Sequence, residues 1–208
     1  MKIAVLGVTG RLGQIVTKLA LAEGHFVTGF SRNAAMLHFK HPQLKLIQGD
    51  VLMYEQVKEA LIGQEAVISV LGARSTGKPL TILSEGMQNI VKAMQVLAIE
   101  RIIAIGGAGI LQETETSLRR DSPNFPTFLQ EISQQHYESY QTLLNSGLKW
   151  TMVCPPIMPN DEHTNKYRIQ ADYLPKGGTH ISVDDVASFI LKELHRNEFI
   201  QKRVGIAY

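Results

Sequence analysis

Apolar residues along this chain cluster in runs of strand length, and each run gives way to a stretch whose apolar positions recur at helical spacing. KIAVLG (2–7) precedes Leu12, Ile15, Val16, Leu19 and Ala20; HFVTGFSR (25–32) precedes a short helix near 34–39; LKLIQGD (44–50) precedes one near 54–61. The second half repeats the scheme with EAVISVLG (65–72) and a helix over 83–97, then RIIAIGG (101–107) and a helix ending near Leu144. LKWTMVCPP (148–156), a helix over 183–194 and a final strand-like RVGIAY (203–208) complete it. Strands apolar on both faces and alternating with helices predict an α/β fold, a parallel sheet covered on both sides. One domain over residues 1–208 is expected from the length.

Two segments break the rhythm. Residues 113–126 are polar with two prolines, and 155–178 are long, punctuated by proline and glycine, and without clear period. Loops of this length in a compact domain usually carry function. Both follow strands of the second half, so both belong at the carboxyl edge of the sheet, where open α/β sheets bind ligands. The second is read as a lid, with Pro155 and Pro156 fixing the exit from the strand and Gly177 and Gly178 as hinge points. Met158 and Tyr167 either give flat apolar contacts to a ligand or pack the lid onto the body.

The formal net charge of +2 is spread without blocks, which argues against nucleic-acid and membrane partners. No uncharged run approaches the roughly 18–20 residues of a membrane helix, and no signal-peptide core is visible. Cys154 is the single cysteine, so neither an intrachain disulfide nor a multi-cysteine zinc site can form. A cytoplasmic protein, monomer or homodimer, is expected.

The stretch with most chemistry is GVTGRLG (7–13), placed between the first strand and the first helix as a dinucleotide loop requires. Gly7 suits a tight turn, Gly10 lets backbone approach a pyrophosphate, and Gly13 lets the helix pack close. The amides of Thr9, Gly10, Arg11 and Leu12 then face the anion at a helix N-terminus. Its Gly-x-x-Gly-x-x-Gly spacing differs from the commoner Gly-x-Gly-x-x-Gly, and a purely structural turn is the competing reading. The second strand ends in Ser31 and Arg32, where selectivity for an unphosphorylated ribose would place an acid. A guanidinium and a hydroxyl suit a 2′-phosphate, with Arg11 as a further charge, so NADP (NADPH) is expected and NAD remains possible.

GVTGRLG, FSR, QGDV (48–51), SVLGAR (69–74) and the later LTILSEGMQNIVKAM, SGLKWTMVCPPIM and GGTHISVDDVASFIL resemble the atypical short-chain dehydrogenase/reductases with NmrA-like, NAD(P)-binding domains. Within that group the chain is most similar to the biliverdin reductase B/flavin reductase branch. The resemblance covers nearly the whole chain and implies a Rossmann-like doubly wound sheet. It also implies Asp50 and Val51 beside adenine, and Leu71, Gly72, Ala73 and Arg74 along the cofactor.

Many such relatives use a Tyr-x-x-x-Lys pair as the proton donor to a carbonyl. Here Tyr137 is followed four residues on by Gln141 and Tyr140 by Leu144, so the pair is absent. Where the biliverdin/flavin reductases carry a serine after the fifth strand this chain has Gly107, and where they carry a histidine after the prolines it has Ile157. The expected pocket, with Gly107, Cys154, Pro155, Pro156, Ile157 and Met158, is roomy and weakly polar, which suits a large flat small-molecule acceptor. His136, expected at the start of its helix, either protonates the acceptor or makes a surface or capping bond. Tyr137 and Tyr140 either line the pocket or pack the core, and Cys154 is either redox-active or a small buried hydrophobe. His163 and His180 have no ligand spacing with other donors, so no metal is expected. Ser182 is a candidate helix cap, with Asp184 and Asp185 as structural acids in the first turn. The favoured function is hydride transfer from NADPH to a flavin-like, quinone-like or tetrapyrrole acceptor. The alternatives are a non-catalytic NADP(H)-binding redox sensor of the NmrA type and, more weakly, a nucleotide-sugar epimerase or dehydratase.

Overall fold

The structure is a computed structural model that describes residues 1–72, 81–159 and 163–208. β1 (Lys2–Leu6), β2 (Phe26–Ser31), β3 (Leu44–Gln48), β4 (Ala66–Ser69), β5 (Arg101–Ile105), β6 (Lys149–Cys154), β7 (Arg168–Ala171) and β8 (Lys202–Ala207) form one sheet in the order β3-β2-β1-β4-β5-β6-β8-β7. Seven of the eight strands run parallel; β7 pairs antiparallel with β8 at the edge, Arg168 opposite Ala207. The second expected loop thus contains a strand. RIQA is mostly exposed and lacks an apolar run, so only its β8 partner makes it a strand.

Five helices cover the two faces: α1 (Arg11–Ala22), α2 (Tyr54–Leu61), α3 (Ser84–Val96), α4 (Gln130–Leu144) and α5 (Val183–Arg196). Strand alternation divides the core in two. Ile3 and Val5 of β1 turn toward α1 and α5, while Ala4 and Leu6 turn toward the layer of α2, α3 and α4. The helix expected near 34–39 is a single 3-10 turn at Ala34–Met36.

α5 begins as expected. The Ser182 hydroxyl accepts from the Asp185 amide at 3.1 Å, capping the helix. Asp185 is fully buried and ties both the chain that precedes α5 and the residue after β8 to the helix: its carboxylate accepts from the Thr164 amide and hydroxyl (both 3.0 Å), the Asn165 amide (2.8 Å) and the Tyr208 hydroxyl (2.5 Å). Burial pushes its pKa up, but the bonds from Tyr208, Thr164 and Asn165 outweigh it and hold the carboxyl down at about 2. Tyr167 packs edge-on against Phe189 of α5, so it belongs to the packing of this segment. Among the described residues no helix is long and apolar enough to cross a membrane.

Candidate functional site

The chain runs from β1 outward to β2 and β3, then crosses back to place β4 against the other side of β1. This reversal opens a crevice at the carboxyl ends of β1 and β4, the position at which doubly wound sheets bind ligands. The glycine loop lies there. Gly7 has φ +91°, in the left-handed region, and a Cβ on it would stand 2.8 Å from the Val70 carbonyl oxygen. A Cβ on Gly13 would be driven into the Gly7 carbonyl, so glycine at that position sets how closely α1 approaches the loop. Gly10 has nothing nearer than the Gly7 oxygen at 3.3 Å; its missing side chain clears the outer side of the loop instead.

Gly10 is the N-cap of α1, where no side chain caps the helix and no acid occupies the first turn. First-turn amides lack intrahelical acceptors, and the helix end carries partial positive charge. A cradle without side chains, ending in an uncapped helix, fits a pyrophosphate. Beside it the Thr9 and Ser31 hydroxyls meet at 2.8 Å. Arg32 follows at the exposed end of β2 and makes no ion pair among the described residues. Arg11 extends over the crevice, its guanidinium donating to the Met158 carbonyl at 3.1 Å.

The Asp50 carboxylate accepts from the Leu52 amide at 3.0 Å and thereby shapes the turn after β3. Val51 is buried, and its carbonyl accepts from Asn89 of α3 at 2.9 Å. Leu71 packs on the core and Gly72 is exposed, both just past β4. Ala73 and Arg74 lie outside the described residues.

A cavity of about 620 Å³ opens beyond the ends of β5 and β6. One wall is Gly107 with Pro155, Pro156, Ile157 and Met158, as expected. The opposite wall comes largely from the other expected loop, 113–126, although the sequence does not single out its lining residues. The segment after β5 folds back through short 3-10 turns, and together with the first turns of α4 it brings Phe125, Leu129, Ile132 and the Glu113–Arg119 ion pair (3.0 Å) to the cavity. The two prolines and the polar run marked the segment as a loop; nothing local to it says which side faces inward.

His136 sits in the second turn of α4, not at its start, and faces the cavity beside Gly107, whose Cβ would lie 3.3 Å from the imidazole Cδ2. Among the described residues its ring nitrogens make no hydrogen bond, so the capping reading does not apply. Burial lowers its pKa to about 4, leaving a neutral imidazole at physiological pH. One turn earlier, Ser133 is buried against Gly109, its hydroxyl without a hydrogen-bond partner among the described residues.

Cys154 does not line the cavity. Its side chain is fully buried under Gly106 and Met152, and burial pushes the thiol up to about 12, so it packs as a small hydrophobe. Tyr140 stacks edge-on against Trp150 with the Arg203 guanidinium over its ring, and Tyr137 receives Arg120; both belong to the core rather than the cavity. A smaller recess of about 230 Å³ beside Phe26 and Pro42, at the amino end of the sheet, touches none of these groups.

Comparison with known proteins agrees with this geometry. The family model described as NAD(P)H-binding matches residues 7–197. YwnB of Bacillus subtilis (strain 168) is 28% identical over 210 residues, 95% of this chain and 96% of its own. A Streptococcus pneumoniae TIGR4 structure whose name proposes an NADH-flavin reductase is 27% identical with a TM-score of 0.83, covering 100% of this chain and 99% of that one. A wide-type short-chain dehydrogenase/reductase from Veillonella parvula DSM 2008, solved with NADP, shares the fold at 21% identity and a TM-score of 0.80, over 100% and 94% of the two chains. With the glycine cradle at the switch point and a model that spans nearly the whole chain, this protein belongs to the NAD(P)H-binding family of Rossmann-like α/β proteins.

Proposed function

We propose that the chain is an NADPH-dependent oxidoreductase that passes hydride to a flat conjugated acceptor of the flavin, quinone or tetrapyrrole class, bound in the cavity beyond β5 and β6. The observation that carries this reading is the cavity itself: about 620 Å³, mostly apolar, in line with the glycine loop along the carboxyl edge. The flavin-reductase name of the pneumococcal relative supports it. The bound nicotinamide would supply the hydride.

The chain's own residues bind and orient. The cradle from Gly7 to Gly13 holds the pyrophosphate, and Ser31 with Arg32 meets the 2′-phosphate. Phe125 and the Pro155–Pro156 wall sandwich the acceptor and exclude water. Among the described residues, His136 is the imidazole that faces the acceptor without a hydrogen-bond partner. Being neutral, it holds no acidic proton and contributes one N–H to orient a carbonyl or ring nitrogen. Protons therefore come from water, and rate enhancement rests on proximity and orientation. An acceptor that already delocalises negative charge needs no stronger acid, which is consistent with the missing Tyr-x-x-x-Lys pair.

The test is oxidation of NADPH and NADH, followed by loss of nicotinamide absorbance, with flavin, quinone, tetrapyrrole and simple carbonyl acceptors beside calorimetric binding of both cofactors. Turnover with a flat acceptor is expected. Tight NADPH binding with no turnover on any acceptor would overturn the reductase in favour of the NmrA-type sensor, and no binding at all would overturn the cofactor reading.

A further inference from the structure

We propose that Glu23, His25 and His195 bind one divalent transition-metal ion, of the zinc class, at the amino edge of the sheet, opposite the cofactor crevice. The three come from two places 170 residues apart in sequence, a spacing no local motif could reveal. α1 ends in a tight turn in which Gly24, at φ +81°, donates to the Leu21 carbonyl and His25 donates to the Ala20 carbonyl, both at 3.0 Å. This paired C-terminal closure fixes Glu23 and His25 on either side of the glycine. α5 packs against α1, and its last turn delivers His195 to the same spot.

The geometry of the three donor atoms is that of a metal ligand set. His25 Nε2 lies 3.3 Å from His195 Nε2 and 3.4 Å from Glu23 Oε2, and His195 Nε2 lies 3.0 Å from the same oxygen. Zinc bonds of about 2.0–2.1 Å at tetrahedral angles hold neighbouring ligand atoms about 3.3–3.4 Å apart and place two imidazole centroids about 5.2 Å apart. The observed centroids are 5.1 Å apart with ring planes at 26°. Imidazoles aimed straight at one another across this nitrogen separation would stand farther apart, so the observed spacing fits two rings sharing one ion.

The ligand chemistry selects the ion. Two imidazoles and one carboxylate suit zinc, cobalt, nickel or copper, whereas magnesium and calcium prefer all-oxygen sets. Three protein ligands leave one position for water. The Glu23 and His195 side chains are each 45% exposed, which gives the ion a route in, while the His25 side chain, at 7%, anchors the set. Nitrogen of Met1 lies 3.3 Å from the other ring nitrogen of His25, leaving Nε2 as the edge that faces the site. The bound ion clamps the turn after α1 to the end of α5 and stabilises the fold by mass action.

The experiment is titration of metal-stripped full-length protein with zinc chloride by calorimetry, with the visible spectrum of the cobalt form as a coordination readout. One ion per chain is expected, with the intense bands of four-coordinate cobalt and a rise in melting temperature. Affinity should fall at least tenfold in His195→Ala and in Glu23→Gln, two exposed positions whose substitution leaves the fold intact, and should hold in His38→Ala, which removes an exposed histidine elsewhere. Zinc affinity equal in wild type and His195→Ala, or a six-coordinate cobalt spectrum, would overturn the site. NADPH binding is read separately on the same samples and is expected unchanged, so failure here and failure of the cofactor reading are distinguishable.

Discussion

Replacing Arg32 by alanine should separate the two nicotinamide cofactors. In the structure this guanidinium stands at the exposed end of β2, next to the Thr9–Ser31 hydroxyl pair, with no carboxylate among the described residues bound to it. Removing it therefore breaks no ion pair and leaves no buried charge, and the fold should keep its melting temperature. A hydrogen bond to a charged group contributes about 1.5–3 kcal/mol, and solvent screening at an exposed site moves the expectation toward the lower end. At 1.4 kcal/mol per tenfold, the NADPH dissociation constant should rise by about 10-fold and by no more than about 150-fold. NADH lacks the 2′-phosphate, so its constant should change by less than about twofold. Calorimetric titration of both cofactors into wild type and Arg32→Ala measures this directly. Repeating it at higher ionic strength adds a second readout, because the wild-type preference for NADPH should shrink with salt while the variant's should not. Equal losses for both cofactors would refute the assignment of Arg32 to the 2′-phosphate.

Other positions give independent checks. Gly13→Ala forces a Cβ into the Gly7 carbonyl, so it should cost about 1–3 kcal/mol, lower the melting temperature by about 2–10 °C and abolish cofactor binding; wild-type affinity in calorimetry would contradict the cradle. His136 has a folded pKa of about 4, below its ordinary 6.5, so its contribution to stability is complete above pH 6.5 and is lost as pH falls toward 4. His136→Phe should flatten that part of the denaturation-versus-pH curve while slowing turnover, and an unchanged acid limb would show that the ring is not desolvated. Asp185, held at about 2 against an ordinary 3.8, gives stability that is complete above 3.8 and lost as pH falls through 2. Asp185→Asn should remove about 1.5–3 kcal/mol at neutral pH and speed proteolysis near 163–165; unaltered cleavage would mean the segment is held elsewhere.

Much of the frame is written locally. Mostly apolar runs specify β1, β2, β4, β5, β6 and β8, because strands covered on both faces bury successive side chains, with polar interruptions at the buried Thr28, Arg101, Thr151 and Arg203. Gly7 and Gly13 are local as well: a left-handed turn and a close helix approach are met most cheaply by glycine, and Ser182 satisfies an amide three residues away. The order of these elements along the chain already implies a parallel sheet with its crevice at the carboxyl edge.

What tertiary structure alone decided are the features made by contact between distant segments. RIQA is a strand only because β8 offers it an edge. The outer wall of the cavity depends on how residues 113–126 fold back over Gly107, and Cys154 stays out of the cavity because Gly106 and Met152 cover its side chain within the core beneath α4. His136 becomes a neutral, cavity-facing imidazole through the apolar wall around it, a desolvation that no spacing encodes. The convergence of Glu23, His25 and His195 exists only because α1 packs on α5. Local sequence sets backbone preference and the period of burial, whereas the identity of a side chain's neighbours, and with it charge state and ligand geometry, is set when the layers close on one another.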